Sequence, residues 1–142
     1  FLAAAWGGVG VRGWRSDAAA RGGAPIFALH QADARSLAFT ADSELLAVGS
    51  SDGSVCVARC ASSCEVVFAL TTSPICALAF FATYLFIGAW GDACSLKSLD
   101  LRTGRLATYR LPDAFPRQSA PPGIAAVQDL DVSLDDALLV CA

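Results

Sequence analysis

The feature that most constrains this chain is that it copies itself. In the segment from Leu46 to Arg59, two short apolar runs flank Ser51-Asp52-Gly53, a pattern that predicts a β-hairpin. Shifted back by 44 residues without a gap, the segment lays Leu2 on Leu46, Ala3 on Ala47, Val11 on Val55 and Arg15 on Arg59. Phe27-Ala28-Leu29 recurs as Phe68-Ala69-Leu70, and Leu37-Ala38-Phe39 as Leu78-Ala79-Phe80, both at a shift of 41. Leu85-Phe86-Ile87-Gly88 follows Leu46-Ala47-Val48-Gly49 at a shift of 39, as though one turn had lost two residues. Leu130-Asp131-Val132 through Leu139-Val140 repeats Leu37-Ala38-Phe39 through Leu46-Ala47 at 93. A unit of four short strands recurring every 40 to 45 residues or so is the mark of a radial stack of small sheets, each hiding its apolar faces against the next.

Strand signals occur at 1–6, 9–14, 25–29, 34–39, 45–49, 54–59, 66–70, 75–80, 84–89, 94–101, 105–111, 125–132 and 137–142. They group into units at about 1–29, 30–70, 71–111 and 124–142. The segment 112–123 carries prolines at 112, 116, 121 and 122 and is read as an irregular loop between two units. A loop of that length is most simply a tolerated surface insertion, although long loops also carry function. The chain has no Met and stops within the apolar run Leu138 to Ala142, so it is read as a fragment of a longer protein.

The run His30, Leu37-Ala38-Phe39, Asp42, then Leu45 through Val57 with Ser50, Asp52 and Gly53, resembles the WD40 repeat. Leu99-Asp100-Leu101-Arg102-Thr103-Gly104 is similar to the motif that closes such a repeat, with Leu in place of Trp. Trp14 falls on the Trp position of the first unit, while Ala58-Arg59 stands where the second should read Trp-Asp. The resemblance implies an all-β fold: a WD40-type β-propeller fragment of four-stranded antiparallel blades. It also implies a structural hydrogen-bonded network to which His30, Ser50, Asp52, Trp14 and Asp100 would contribute. Members of the family typically bind peptides and other proteins through the loops on their two faces.

Candidates for chemistry are few. A Ser/His/Asp set invites a hydrolase reading, but a triad needs an exposed nucleophile and an oxyanion site, and no Gly-x-Ser-x-Gly motif is present. Cys56, Cys60 and Cys64 are spaced by four, and Cys76, Cys94 and Cys141 stand alone. With no Cys-x-x-Cys and a single His, they do not form a zinc motif. Without a secretory signal, the cysteines are read as thiols of a cytoplasmic protein. Gly7-Gly8-Val9-Gly10 lacks the Lys-Ser/Thr of a phosphate loop and is read as a turn. Trp6, Trp90 and Phe115 are candidate anchors for a partner, weighed against ordinary packing between sheets. No metal or cofactor is expected, and the chain is not read as an enzyme.

Composition excludes one partner class and raises a rival fold. A net charge of −3 with scattered basic residues argues against nucleic acid, which requires clustered Lys and Arg. With 55% hydrophobic and 16% charged residues, the chain is apolar enough to suggest a membrane span. Val66 to Gly91 contains no charge and would be that span at 66–90. Against it, Pro74 interrupts the run, no Lys/Arg cluster flanks it, and the window repeats residues 25–49 strand for strand. The function expected is a non-catalytic protein–protein interaction scaffold whose partners are other proteins or peptides, with no nucleic acid and no membrane. The alternative is a regulatory or targeting part of a larger multidomain enzyme.

Overall fold

The computed structural model describes residues 1–6, 10–19, 21–29, 33–60, 64–90, 95–110, 129–133 and 139–141. These residues are all-β apart from one helical turn. The strands are β1 (Leu2–Trp6), β2 (Gly10–Trp14), β3 (Phe27–Leu29), β4 (Ala34–Phe39), β5 (Leu45–Ser50), β6 (Ser54–Cys60) and β7 (Cys64–Thr71). They continue as β8 (Ile75–Phe81), β9 (Tyr84–Ala89), β10 (Ser95–Asp100), β11 (Leu106–Arg110), β12 (Leu130–Val132) and β13 (Leu139–Cys141). The expected strands recur here to within two residues at either end, apart from β12, whose expected N-terminal part lies outside the described residues. The helical turn α1 (Ser16–Ala19) was not expected. Its Ser-Asp-Ala-Ala sequence puts an acidic residue in the first turn and alanine after it, which suits a helix, and the Ala19 amide closes onto the Arg15 carbonyl at 2.9 Å.

Every sheet is an antiparallel meander in chain order. β1-β2-β3 form a three-stranded sheet, β4 to β7 and β8 to β11 form four-stranded sheets, and β12 pairs with β13. Among the described residues none of them closes on itself. The sequence repeat is carried into the registers. Ser36 pairs with Gly49 and Phe39 with Leu46; in the next sheet Ala77 pairs with Gly88 and Phe80 with Leu85. The turn between β8 and β9 is therefore two residues shorter, which is where the shift drops from 41 to 39. Val11 faces Leu29 as Val55 faces Leu70, and Leu2 faces Trp14 as Leu46 faces Ala58.

A bulge repeats too. The pairing slips between Ala34 and Ser36 in β4 and between Ile75 and Ala77 in β8, 41 residues later. An extra residue in a strand inverts the side-chain alternation beyond it. So Ala34 and Leu37, three apart, face the same core, and so do Ile75 and Leu78. Without the bulge, residues at odd spacing would point to opposite faces.

Three apolar cores lie between consecutive sheets. Val11 and Phe27 pack with Leu46, Val48 and Cys60; Ala47, Val55 and Val57 pack with Ile75, Leu78, Leu85, Ile87 and Leu99; and Ala77, Ala79 and Leu96 pack with Leu130. Strand β5 thus supplies both of its faces to different cores. That is why it reads as a continuous apolar run rather than an alternating one. The innermost strands, those through which consecutive sheets meet most extensively, stack in order, β4 on β8 and β8 on β12, while β1, the equivalent of β5, packs on β4. Two polar groups inside this apolar stack have partners. The buried Ser98 hydroxyl lies 3.1 Å from the Tyr109 hydroxyl, and Lys97 reaches across to donate to Thr72 Oγ1. The uncharged window proposed as a span is the strands β7, β8 and β9, and among the described residues no helix is long and apolar enough to cross a membrane.

Two positions carry opposite predictions. A Cβ on Gly49 would run into the Ile75 side chain, because the second and third sheets meet there without intervening atoms. Gly49→Ala is expected to lower stability by about 1–3 kcal/mol through overpacking. Ala82, in the short β8–β9 turn, is held at φ 49°, a left-handed conformation that disfavours a Cβ. Ala82→Gly is expected to raise stability by about 0.5–1 kcal/mol once strain relief is set against the added freedom of the unfolded chain. Urea titration of both variants checks the signs, and a stabilised Gly49→Ala would contradict the close contact.

Candidate functional site

The bulges, registers and turns bring the C-terminal ends of the innermost strands together. Phe39 ends β4, Phe80 lies near the end of β8 and Val132 ends β12, at positions equivalent by the repeat. Together with Leu45 and Leu101 they line the apolar part of a groove of about 590 Å³, a volume within the usual range for ligand pockets. Its rim is made by three turns: 40–44 between β4 and β5, 82–83 between β8 and β9, and 101–105 between β10 and β11. The Leu101 amide donates to the Thr83 carbonyl at 2.9 Å, which ties two of these turns to each other. Its counterpart one unit earlier is the Cys60 amide donating to the Glu44 carbonyl at 2.7 Å.

Two of the rim turns are stiffened by side-chain oxygens that stand in for backbone partners. Thr40 Oγ1 donates to Asp42 Oδ1 at 2.6 Å and accepts from the Leu45 amide at 3.0 Å, while the Glu44 amide donates to Asp42 Oδ1 at 2.9 Å. Ser43 sits at φ 61° inside this arrangement, so the hydrogen bonds offset the cost of a left-handed residue. Asp100 accepts from the Arg102 amide at 2.9 Å and from Thr103 Oγ1 at 2.8 Å, and Gly104 takes the positive φ of 69° that ends the turn. The groove therefore has an apolar floor, an acidic side at Asp42 and a basic side at Arg102. Among the described residues, those lining it include no His, Cys or Ser. Chemically it can take up an apolar side chain and sort the charges that flank it.

The residues singled out from the sequence lie elsewhere for the most part. Ser50 is buried at the end of β5, and its hydroxyl donates to the Asp33 carbonyl at 3.2 Å. Asp52 is exposed in the next turn and accepts from the Ser54 hydroxyl at 2.6 Å and the Ser54 amide at 2.8 Å. Ser50 and Asp52 lie two residues apart where β5 passes into its turn, and the Asp52 carboxyl is held below its ordinary range chiefly by the Ser54 hydroxyl and amide. Trp14 ends β2, half-buried, and Asp100 ends β10, so each belongs to a different sheet from that pair. Trp14, Ala58 and Leu99 occupy the same register position in three successive sheets. Trp90 is half exposed, and its amide donates to the Pro74 carbonyl at 2.8 Å, as the Ser51 amide does to Asp33 at 3.1 Å one unit earlier. Trp6 ends β1 opposite Gly10, while His30 and Phe115 lie outside the described residues.

Sequence reasoning missed the groove as a site. Phe39 and Phe80 were legible as strand residues and Asp42 as a turn residue, but their convergence depends on how one sheet sits on the next. Among the described residues no group of three His, Cys, Asp or Glu gathers as metal ligands would. A scan against protein-family models finds no match for this chain, and a search of curated proteins finds none either.

The turn carboxylates set an acid limit. The Ser54 hydroxyl and amide hold Asp52 below the ordinary carboxylate range; the Thr40 hydroxyl and Glu44 amide do so for Asp42, and the Arg102 amide and Thr103 hydroxyl for Asp100. A depressed folded-state value means the stabilisation is present above the unfolded value, near 3.8, and is lost as pH falls through the lower folded value. The melting temperature is expected to stay level from neutral pH to about 5 and to fall below about 4. A triple D42N/D52N/D100N variant should show a shallower acid fall, because Asn keeps the acceptor but does not titrate. An identical acid slope in thermal melts would rule out these turns as its origin.

Proposed function

We propose that the chain is an arc of a WD40-type β-propeller and serves as a non-catalytic scaffold for other proteins. The observation that carries this reading is the repeated bulge and register. Two four-stranded sheets share one bulge and register, the three-stranded sheet and the last strand pair reproduce parts of the same pairing, and β4, β8 and β12 stack in order, as successive blades of a propeller would. The resemblance of residues 30–57 and 99–104 to the family's repeat supports the same reading from the sequence side. A rigid stack presenting stiff turns at one end is suited to recognition, since little conformational freedom is lost when a partner docks.

The partner class follows from the groove. Its apolar floor accepts an aliphatic or aromatic side chain of an extended peptide segment. Asp42 on one side and Arg102 on the other fit a segment with a basic residue before or after that anchor and an acidic one across from it. Selection from a random displayed peptide library on the full chain should enrich such segments. Thr83 is exposed at the rim, so Thr83→Arg obstructs the groove without entering a core. It is expected to weaken the selected peptides at least about tenfold, near 1.4 kcal/mol, with an unchanged melting temperature. Peptides that bind the Thr83→Arg protein as tightly as the original would place recognition elsewhere and remove the groove from the reading.

A further inference from the structure

The backbone register places Cys60 and Cys64 directly opposite each other at the closed end of the β6–β7 hairpin. Register positions opposite each other in an antiparallel pair belong to the same face of the sheet. The pair is also of the closer kind. In an extended strand the amide and carbonyl of one residue point to the same edge, and the Cys60 amide donates to Glu44 on the β5 side, at 2.7 Å. Cys60 therefore turns its backbone groups away from β7, which makes Cys60–Cys64 a non-hydrogen-bonded pair. In such pairs the Cα atoms lie about 4.5 Å apart. Disulfides span Cα separations of about 4.4 to 6.8 Å. No other two cysteines share a register among the described residues: Cys56 faces Ala69, Cys141 faces Leu130, and Cys76 is the bulged residue of β8.

We propose that Cys60 and Cys64 are a redox pair that closes the β6–β7 hairpin with a disulfide when a low-molecular-weight disulfide such as oxidised glutathione is supplied. One protein thiolate attacks a sulfur of the small disulfide and forms a mixed disulfide, releasing one small thiol. The second protein thiolate attacks the protein sulfur of that mixed bond, forming Cys60–Cys64 and releasing the other small thiol. The protein dithiol loses two electrons, the small disulfide gains them, and the two protein protons end on the released thiols. Because the closed loop is short, the bond adds little through chain entropy. Its consequence is local. It fixes the end of a hairpin whose pairing slips between Val57 and Ala58, and Cys60 packs in the core shared with the first sheet.

Residues 59 and 65 make the test direct, since trypsin cuts after Arg59 and a glutamate-specific protease after Glu65, releasing residues 60–65 as one peptide. The full chain is equilibrated in oxidised and reduced glutathione, alkylated, digested and weighed, both folded and in urea. The folded chain is expected to give the 60–65 peptide unalkylated and lighter by two hydrogens, at an oxidised-to-reduced ratio at least about tenfold lower than the unfolded chain needs. Cys64→Ser should restore alkylation at Cys60 under the same conditions. Equal oxidation in urea would show that sequence proximity alone joins the two thiols. Alkylation of both in the folded chain, or a cross-link from Cys60 to a different cysteine, would equally overturn the proposal.

Discussion

The contact on which the rest of this structure depends is the one between the second and third sheets. Ala47, Val55 and Val57 on one side meet Ile75, Leu78, Leu85, Ile87 and Leu99 on the other, and all are buried. Each Val, Leu or Ile side chain removed from water there contributes roughly 1.5–3 kcal/mol. No single sheet could achieve that burial, because an isolated four-stranded meander leaves both faces wet. The sheets are stable only as neighbours, and the chain meets this by presenting near copies of one hairpin pair in succession.

Stacking of that kind needs each strand's side chains in phase with the core they enter. The bulges at Arg35 and Cys76 supply the phase. They let the start of an innermost strand and its later residues face the same neighbour although their spacing is odd. The close approach at Gly49 acts on the same interface, since the missing side chain leaves room for Ile75. Bulge, glycine and core are therefore parts of one arrangement. The amide bridges from Leu101 to Thr83 and from Cys60 to Glu44 repeat because the arrangement does.

The groove is a by-product of this stacking. Once innermost strands lie side by side with equivalent ends, the residues closing each strand converge, and the turns beyond them make a rim. Two of those turns are stiffened locally, as Asp42 and Asp100 each accept from the amide two residues on.

Much of this was legible beforehand. The hairpin pattern around Ser51-Asp52-Gly53 predicted its turn because positive φ at Gly53 and an accepting Asp are local chemistry. The shifts of 41 and 39 anticipated the pairing of Phe80 with Leu85, since register follows turn length. Other features were not legible. The α1 turn lies in a stretch without hydrophobic periodicity, and Ser50 found its acceptor in the Asp33 carbonyl 17 residues away. By itself, then, the sequence determined the strands, their turns and their order of pairing, because those depend on neighbours in the chain and on alternation. Which faces meet and where the strand ends converge were decided only by the tertiary structure, because those distances are set by how sheets pack and not by spacing along the backbone.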